Sequence, residues 1–391
     1  MTTLIVFIII LGVLILVHEA GHFLVAKRNG VPSEEFGFGF PPRVVGVYKN
    51  KKGKWKWVFG NKQIGEEEKE KDETVYSINL IPLGGFVKIR GESEEEIKGD
   101  PKSFVNQSAW KRFKILFAGV GMNFVLAIIL FAFAFWLGLP EAINDETEAR
   151  NPEVQIAQVA NNTPADEIGV EMGDVIKTIE AGGENYEVTK VGQFQKIIEE
   201  NKGKEIELNF ERPGEGIVSL ATKIREEAPE GEGLLGVQLV RTDFVKHGFL
   251  ESSWMAVKTT FSMIVTIVVF LGDLIVKLFV SEPVGSQVAG PVGIAVLTGK
   301  MTQMGLAHIL QFTALLSVNL GVINLLPIPA LDGGRILFLL IEKIKGSPVS
   351  QKMEGLVHTI GFFLLISLMV FVTVKDFINF EIVDKIKGLF V

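Results

Sequence analysis

Residues 4–26 read LIVFIIILGVLILVHEAGHFLVA, from Leu4 to Ala26. A helical membrane crossing needs about 20 mainly apolar residues, and no polar side chain interrupts this run until His18 and Glu19. The sequence His18-Glu19-Ala20-Gly21-His22 fits HExxH. At a spacing of i, i+4 the two imidazoles share one helix face, one turn apart. Both can reach one tetrahedral metal ion. Glu19 lies about 100° further round, where it can take a proton from a water beside the metal. Gly21 is expected to leave the helix surface open there. The bland alternative is two buried histidines and a glutamate satisfied by their neighbours. A carboxylate inside a span costs roughly 2.5 kcal/mol or more. A divalent cation offsets that by pairing the ligands and neutralising charge.

Three further runs are long enough to cross a bilayer: about Ile115 to Leu139, closed by Pro140; Leu306 to Leu326; and Leu356 to Val374. In each, only a helix satisfies the backbone. No Lys or Arg precedes the first span, whereas Lys27, Arg28, Arg43, Lys49, Lys51, Lys52, Lys54, Lys56, Lys111, Arg112 and Lys114 follow it. The positive-inside rule puts residues 27–112 in the cytoplasm and residues 140–305 outside. Lys343, Lys345 and Lys352 make the turn between the last two spans cytoplasmic as well. The run Trp254 to Val280 is apolar but holds Lys258, Asp273 and Lys277. It reads as a helix on the outer membrane surface or packed on the bundle, with a fifth span as the alternative. The first span is placed like a signal peptide, but it lacks a basic start and a clear cleavage site.

The chain has 391 residues, 48% hydrophobic, with charge clustered rather than spread. That suits a membrane protein with a soluble insert. A net charge of −7 gives no sign of a nucleic-acid partner. The absence of cysteine excludes disulfides and thiolate ligands.

A catalytic zinc usually has three protein ligands. The best third candidate is Asp332, in Asn324-Leu325-Leu326-Pro327-Ile328-Pro329-Ala330-Leu331-Asp332-Gly333-Gly334. Pro327 and Pro329 break a helix there, and Gly333 and Gly334 permit a sharp reversal. Asp332 can equally cap a helix at Arg335 to Lys343. Topology puts it at the inner end of its span, at a depth similar to His18 and His22.

Residues 141–240 turn polar, with alternating apolar positions. Strands are expected at Val154–Val159, Val175–Ile179 and Ile206–Phe210, and an amphipathic helix at Val191–Asn201. Thr163-Pro164-Ala165, Gly169 and Gly173-Asp174-Val175-Ile176 resemble a bacterial PDZ domain, which would add a peptide strand in its groove. Another small β-rich module is the alternative. His247, His308 and His358 read as structural. Ser103–Arg112 reads as an interfacial anchor, and Glu66 to Glu73 as a solvated charge run.

HEAGH in the first span and NLLPIPALDGG after the third resemble the site-2 protease family of intramembrane metalloproteases, in its bacterial branch. Gly37-Phe38-Gly39-Phe40, Leu83-Gly84-Gly85-Phe86-Val87-Lys88 and Gly290-Pro291-Val292-Gly293 resemble family blocks. The resemblance covers nearly the whole chain. It implies a polytopic α-helical membrane protein of about four spans, with a membrane-associated β-loop and an inserted extracytoplasmic PDZ-like α+β domain. The divisions are 1–140 (spans, motif and β-loop), 141–240 (PDZ-like), 241–305 (surface helix and linker) and 306–391 (last spans). It implies one Zn2+ per chain on His18, His22 and Asp332, with Glu19 as general base. Asn324 and Asn319 match substrate-handling asparagines. Tyr76 to Arg90 matches a β-loop that pairs with an unwound substrate, through Gly85, Phe86, Val87 and Lys88; an ordinary hairpin is the alternative. The implied partners are single-span transmembrane substrates already trimmed outside, a peptide at the PDZ-like domain and the lipid bilayer. The implied location is the inner (cytoplasmic) membrane, multi-pass, with the active site toward the cytoplasm. Ala118-Gly119-Val120 departs from the family's Ala-Gly-Pro, and a single PDZ-like region stands where some relatives have two.

Two other classes use the same residues: a transporter that binds metal in transit, and a membrane scaffold with a vestigial site. Neither requires Glu19, and no inverted repeat is visible.

Overall fold

A computed structural model of the chain describes residues 2–62, 64–65, 68–70, 72–92, 100–229, 232–280, 290–347 and 349–379. The opening apolar run forms α1 (Thr2–Arg28). Lys27 and Arg28 complement the negative end of its dipole. Gly30, at φ +77°, ends it, and Val31 N–H donates back to the Ala26 carbonyl at 3.0 Å.

An antiparallel sheet follows: β1 (Ser33–Lys49), β2 (Trp55–Phe59) and β3 (Val75–Ile89), in the order β2-β1-β3. β1 and β3 each pair twice. Phe36 lies opposite both Val87 and Tyr76, while Val47 lies opposite Tyr76 and Trp57. The ribbons therefore run 55–59, 43–49, 75–79, 33–38, 85–89, with the last at an edge. Pro41 and Pro42, which carry no N–H for a ladder, sit where β1 changes partner. The sheet lies along α1. Phe36 stacks on Phe23 at 4.9 Å, and a Cβ on Gly12, Gly84 or Gly85 would meet Phe38, Ile15 or Leu16 respectively.

A short 3-10 turn, Phe104–Asn106, leads into α2 (Ala109–Leu137), the second apolar run. Ala26, Val31, Ile89, Phe104, Ile115 and Leu116 form one buried cluster with Ile336 and Leu339. That cluster fixes the ends of α1 and β3 on α2.

Residues 133–252 with 301–309 form a second compact unit, the first being 1–132, 253–300 and 310–391. The second unit holds β4 (Leu139–Ala142), β5 (Glu153–Val159), α3 (Pro164–Glu167), β6 (Val175–Ala181), β7 (Glu184–Glu187), α4 (Val191–Glu200), β8 (Glu205–Arg212), β9 (Gly216–Lys223) and β10 (Val237–Val245). The sheet order is β4-β10-β5-β6-β8-β9, with β7 on β6. The inward residues of the alternating strands pack with Phe194, Ile197 and Ile198 of α4. Arg212 forms a two-pronged ion pair with buried Asp174, at 2.7 and 2.8 Å. A groove of about 1210 Å³ lies between α4 and residues 234–239. On that stretch β10 pairs with β5 on one side, whereas β4 takes only residues 242–245.

The remaining helices are α5 (Phe249–Val280), α6 (Pro291–Met304), α7 (Leu306–Leu325), α8 (Asp332–Lys345) and α9 (Gln351–Asn379). Among the described residues, α1, α2, α5, α7 and α9 are long and apolar enough to cross a membrane. In α5, Ser252, Ala256 and Thr260 are buried while Trp254, Val257, Phe261, Val265 and Val268 are exposed. Its apolar stripe faces outward, which suits contact with lipid tails.

Candidate metal centre

The i, i+4 spacing on α1 places the His18 and His22 rings edge to face, with their Nε2 atoms 3.2 Å apart. Both side chains are buried. Asp332 is the first residue of α8; the capping position belongs to Leu331, and no side chain caps the helix. The helix therefore starts three residues earlier than the sequence reading, and the Asp332 carboxylate is free to point at the histidines. Its Oδ2 lies 3.0 Å from His18 Nε2 and 3.3 Å from His22 Nε2.

The loop before Asp332 is held from several sides. Ala330 adopts φ +75° and its N–H donates to His358 Nδ1 at 2.8 Å. A Cβ on Gly333 would lie 2.2 Å from the Leu326 carbonyl oxygen, and one on Gly334 would lie 2.4 Å from that of Ile328. Only glycines allow this close a reversal. His358, which the sequence reading took as structural, thus anchors the loop that delivers Asp332. Arg335, one turn on, pairs with Glu92.

The donor set fits a divalent ion. Ligands about 2.0–2.1 Å from a tetrahedral zinc stand roughly 3.3 Å from one another, close to the triangle of 3.0, 3.2 and 3.3 Å found here. His22 Nδ1 lies 2.8 Å from the Ile115 carbonyl, which can only accept. With the ring neutral, as a metal ligand must be, Nδ1 is the donor and the Nε2 lone pair faces Asp332. Three acceptors converging in a buried site repel one another unless a cation lies among them.

Glu19 stands beside the triangle, and its Oε2 accepts from the Val87 backbone N–H at 3.2 Å. Of the proposed substrate residues, Gly85 to Lys88 thus lie on the sheet edge that reaches Glu19. Lys88 Nζ pairs with Glu34 at 2.7 Å. Asn324 is half-buried in the last turn of α7, and no hydrogen bond joins it to the triangle among the described residues.

Residues 6–60 and 54–368 match the profile described as Peptidase family M50. The chain belongs to that family. M50 is the family of the site-2 proteases, so the sequence resemblance holds, and the chain is a peptide hydrolase. A Clostridium acetobutylicum protein provisionally named a zinc metalloprotease is 35% identical, over 95% of this chain and 96% of that one. Zinc metalloprotease RasP of Oceanobacillus iheyensis is 29% identical, over 96% of this chain and 99% of its own length. RasP of Bacillus licheniformis is also 29% identical, with the same coverage.

Two residues of this M50 chain shape the centre although the sequence reading gave them no role there. A Cβ on Gly119 would lie 2.4 Å from His22 Nε2 and 2.9 Å from His18 Cε1. Any larger residue there enters the space among the donors. Asn123 is fully buried, with its Nδ2 3.1 Å from His18 Nδ1 and its Oδ1 without a partner among the described residues. Exchanging the amide O and N lets the ring N–H donate to the oxygen and aims His18 Nε2 at the centre. The sequence signal was Ala118-Gly119-Val120, noted only as a departure from the family's Ala-Gly-Pro. Gly21 corrects another expectation. It does not leave open surface; the Ala118 carbonyl oxygen lies 2.3 Å from where its Cβ would be. The small residue serves the close approach of α1 and α2.

Proposed function

We propose that this M50 peptidase is a zinc-dependent intramembrane endopeptidase that cuts the transmembrane segments of single-span membrane proteins. The observation that carries the reading is the convergence of two imidazole nitrogens and a carboxylate oxygen, buried at 3.0–3.3 Å, beside a carboxylate held by a strand edge. His18, His22 and Asp332 would hold one zinc ion, two imidazoles and a carboxylate being a donor set of catalytic zinc sites. Zinc in that place supplies Lewis-acid activation of the water and of the scissile carbonyl. Glu19 takes the proton from the attacking water and returns it to the leaving amine.

A helix shields its own carbonyls, so the scissile segment has to be extended. The edge ribbon 85–89 offers Gly85, Phe86, Val87 and Lys88 for strand addition. Val87 N–H already points at Glu19, so a strand added there runs past the general base. Asn324 contributes to substrate handling from the end of α7.

The sheet and α4 of residues 133–252 support a PDZ-like reading of the insert. The exposed stretch of β10 beside α4, preceded by Leu234-Leu235-Gly236, accommodates an extended peptide. The loop charges favour four crossings by α1, α2, α7 and α9, with the β-sheet cytoplasmic, the insert outside the cytoplasmic membrane and α5 against its outer surface.

The reading is tested with purified protein and a tagged single-span substrate in bilayer discs. Cleavage within the transmembrane segment, abolished by a chelator and restored by zinc, is expected. Metal bound without cleavage of any single-span substrate favours transport or scaffolding.

A further inference from the structure

We propose that the Trp55-Trp57-Phe59 face of β2, with the lysines around the adjoining turn, is a docking surface for anionic phospholipid headgroups. The inference rests on α1 crossing the bilayer.

Strand alternation puts Val58 on the opposite face, buried with Tyr48 and Val75. The strand thus has its core already, yet Trp55, Trp57 and Phe59 are 56%, 69% and 70% exposed. Across the sheet the same face continues through Val45, Val47 and Ile78 to Tyr76. Three aromatic rings beside one another in water are costly to leave uncovered.

Two observations say what covers them. The first is depth. The Trp55 ring lies 6.2 Å from Tyr76, and Tyr76 lies 6.0 Å from Phe23 of α1. Phe23 is five residues, about 7.5 Å, from the basic end of α1 at Arg28. The aromatic face is therefore level with the end of a span, where Trp and Tyr form belts at the headgroups. The second is charge. Lys49 Nζ sits 5.3 Å over the Trp55 ring, and Lys51, Lys52 and Lys54 occupy the turn beside it. The nearby acid Glu68 is turned to the other face, where it bonds Tyr48. Aromatic residues flanked by lysines at this depth match an anionic leaflet.

The surface has a consequence for the proposed chemistry. Ribbon 55–59 is one edge of the sheet and ribbon 85–89 is the other. Fixing the first edge in the headgroup layer sets the depth at which Val87 meets Glu19.

The chain contains no cysteine, so a single introduced cysteine is a unique labelling site. Spin labels at Trp57→Cys and Lys56→Cys are compared in discs of phosphatidylcholine with and without phosphatidylglycerol, using oxygen and a water-soluble nickel chelate as collision probes. The label at 57 is expected to favour oxygen and the label at 56 the nickel chelate. Adding phosphatidylglycerol should deepen position 57, and replacing Lys49, Lys51, Lys52 and Lys54 with Gln should cancel that several-fold change. Phe59→Cys provides a second position on the aromatic face should Trp57→Cys misfold. Equal access of nickel to 56 and to 57 or 59 in both lipids overturns the proposal. So does shielding that appears only when a protein substrate is added. Glu19→Gln protein is expected to give the same labels, so this test stands apart from the catalytic one.

Discussion

The Val87 backbone N–H donates to Glu19 Oε2 at 3.2 Å, joining the outermost strand of the sheet to the carboxylate beside the histidines. In the proposed chemistry, proton transfer and substrate alignment meet at that bond. Val87→Pro removes the donor while leaving the metal donors untouched. Turnover of a single-span substrate is expected to fall about tenfold or more, with zinc content unchanged, as measured by cleavage assay and metal analysis.

Gly119 forms the wall of the centre. Gly119→Ala places a methyl 2.4 Å from His22 Nε2. The variant should fold, with its helical circular dichroism retained, yet lose bound zinc. Full zinc occupancy in that variant would contradict the assigned geometry.

Asn123 orients His18 through Nδ1. Partners of this kind typically change metal affinity by about 10–100-fold when removed. Asn123→Ala should weaken zinc by that order in a chelator competition, and Asn123→Asp should restore part of the affinity because its carboxylate still accepts from the ring.

His247 gives a pH dependence far from the metal. Its hydrogen bond to Glu141, 2.6 Å from Nε2, raises its pKa against the opposing effect of burial, with Glu251 adding to the rise. A pKa raised in the folded state stabilises the fold fully below the unfolded value of about 6.5. That stabilisation is lost as pH climbs through the higher folded value. Thermal unfolding should show a small loss over this window, at most ~1 kcal/mol because the pair is solvent-screened. His247→Gln should flatten it.

Within residues 133–252, buried Asp174 is paired with Arg212 and with no other cationic side chain among the described residues. Arg212→Leu leaves a buried charge uncompensated, at a cost of about 3–5 kcal/mol. Hydrogen exchange should rise through β6 and β8, while zinc content stays at the wild-type level.

The parts of this fold that are periodic or locally spaced were legible in the sequence. HEAGH placed two imidazoles on one helix face, and the apolar runs located α1, α2, α7 and α9 to within a few residues at most ends. Val191 to Asn201 showed its amphipathic face directly. What escaped depends on how elements meet. The path of β1, which pairs with two halves of β3, reverses at Pro41 and Pro42 and carries no local sign of its second partner. Gly119 and Asn123 matter only because α2 lies against His18 and His22, a register set by Gly21 meeting Ala118. Asp332 read equally well as a helix cap until α8 proved to begin at that residue.

The central claim is that Glu19 moves the proton at a zinc held by His18, His22 and Asp332. The most direct test compares wild-type and Glu19→Gln protein on one single-span substrate, with bound metal quantified in each. Cleavage lost and zinc retained is the expected result. Equal cleavage by the two proteins, with zinc bound in both, would contradict it.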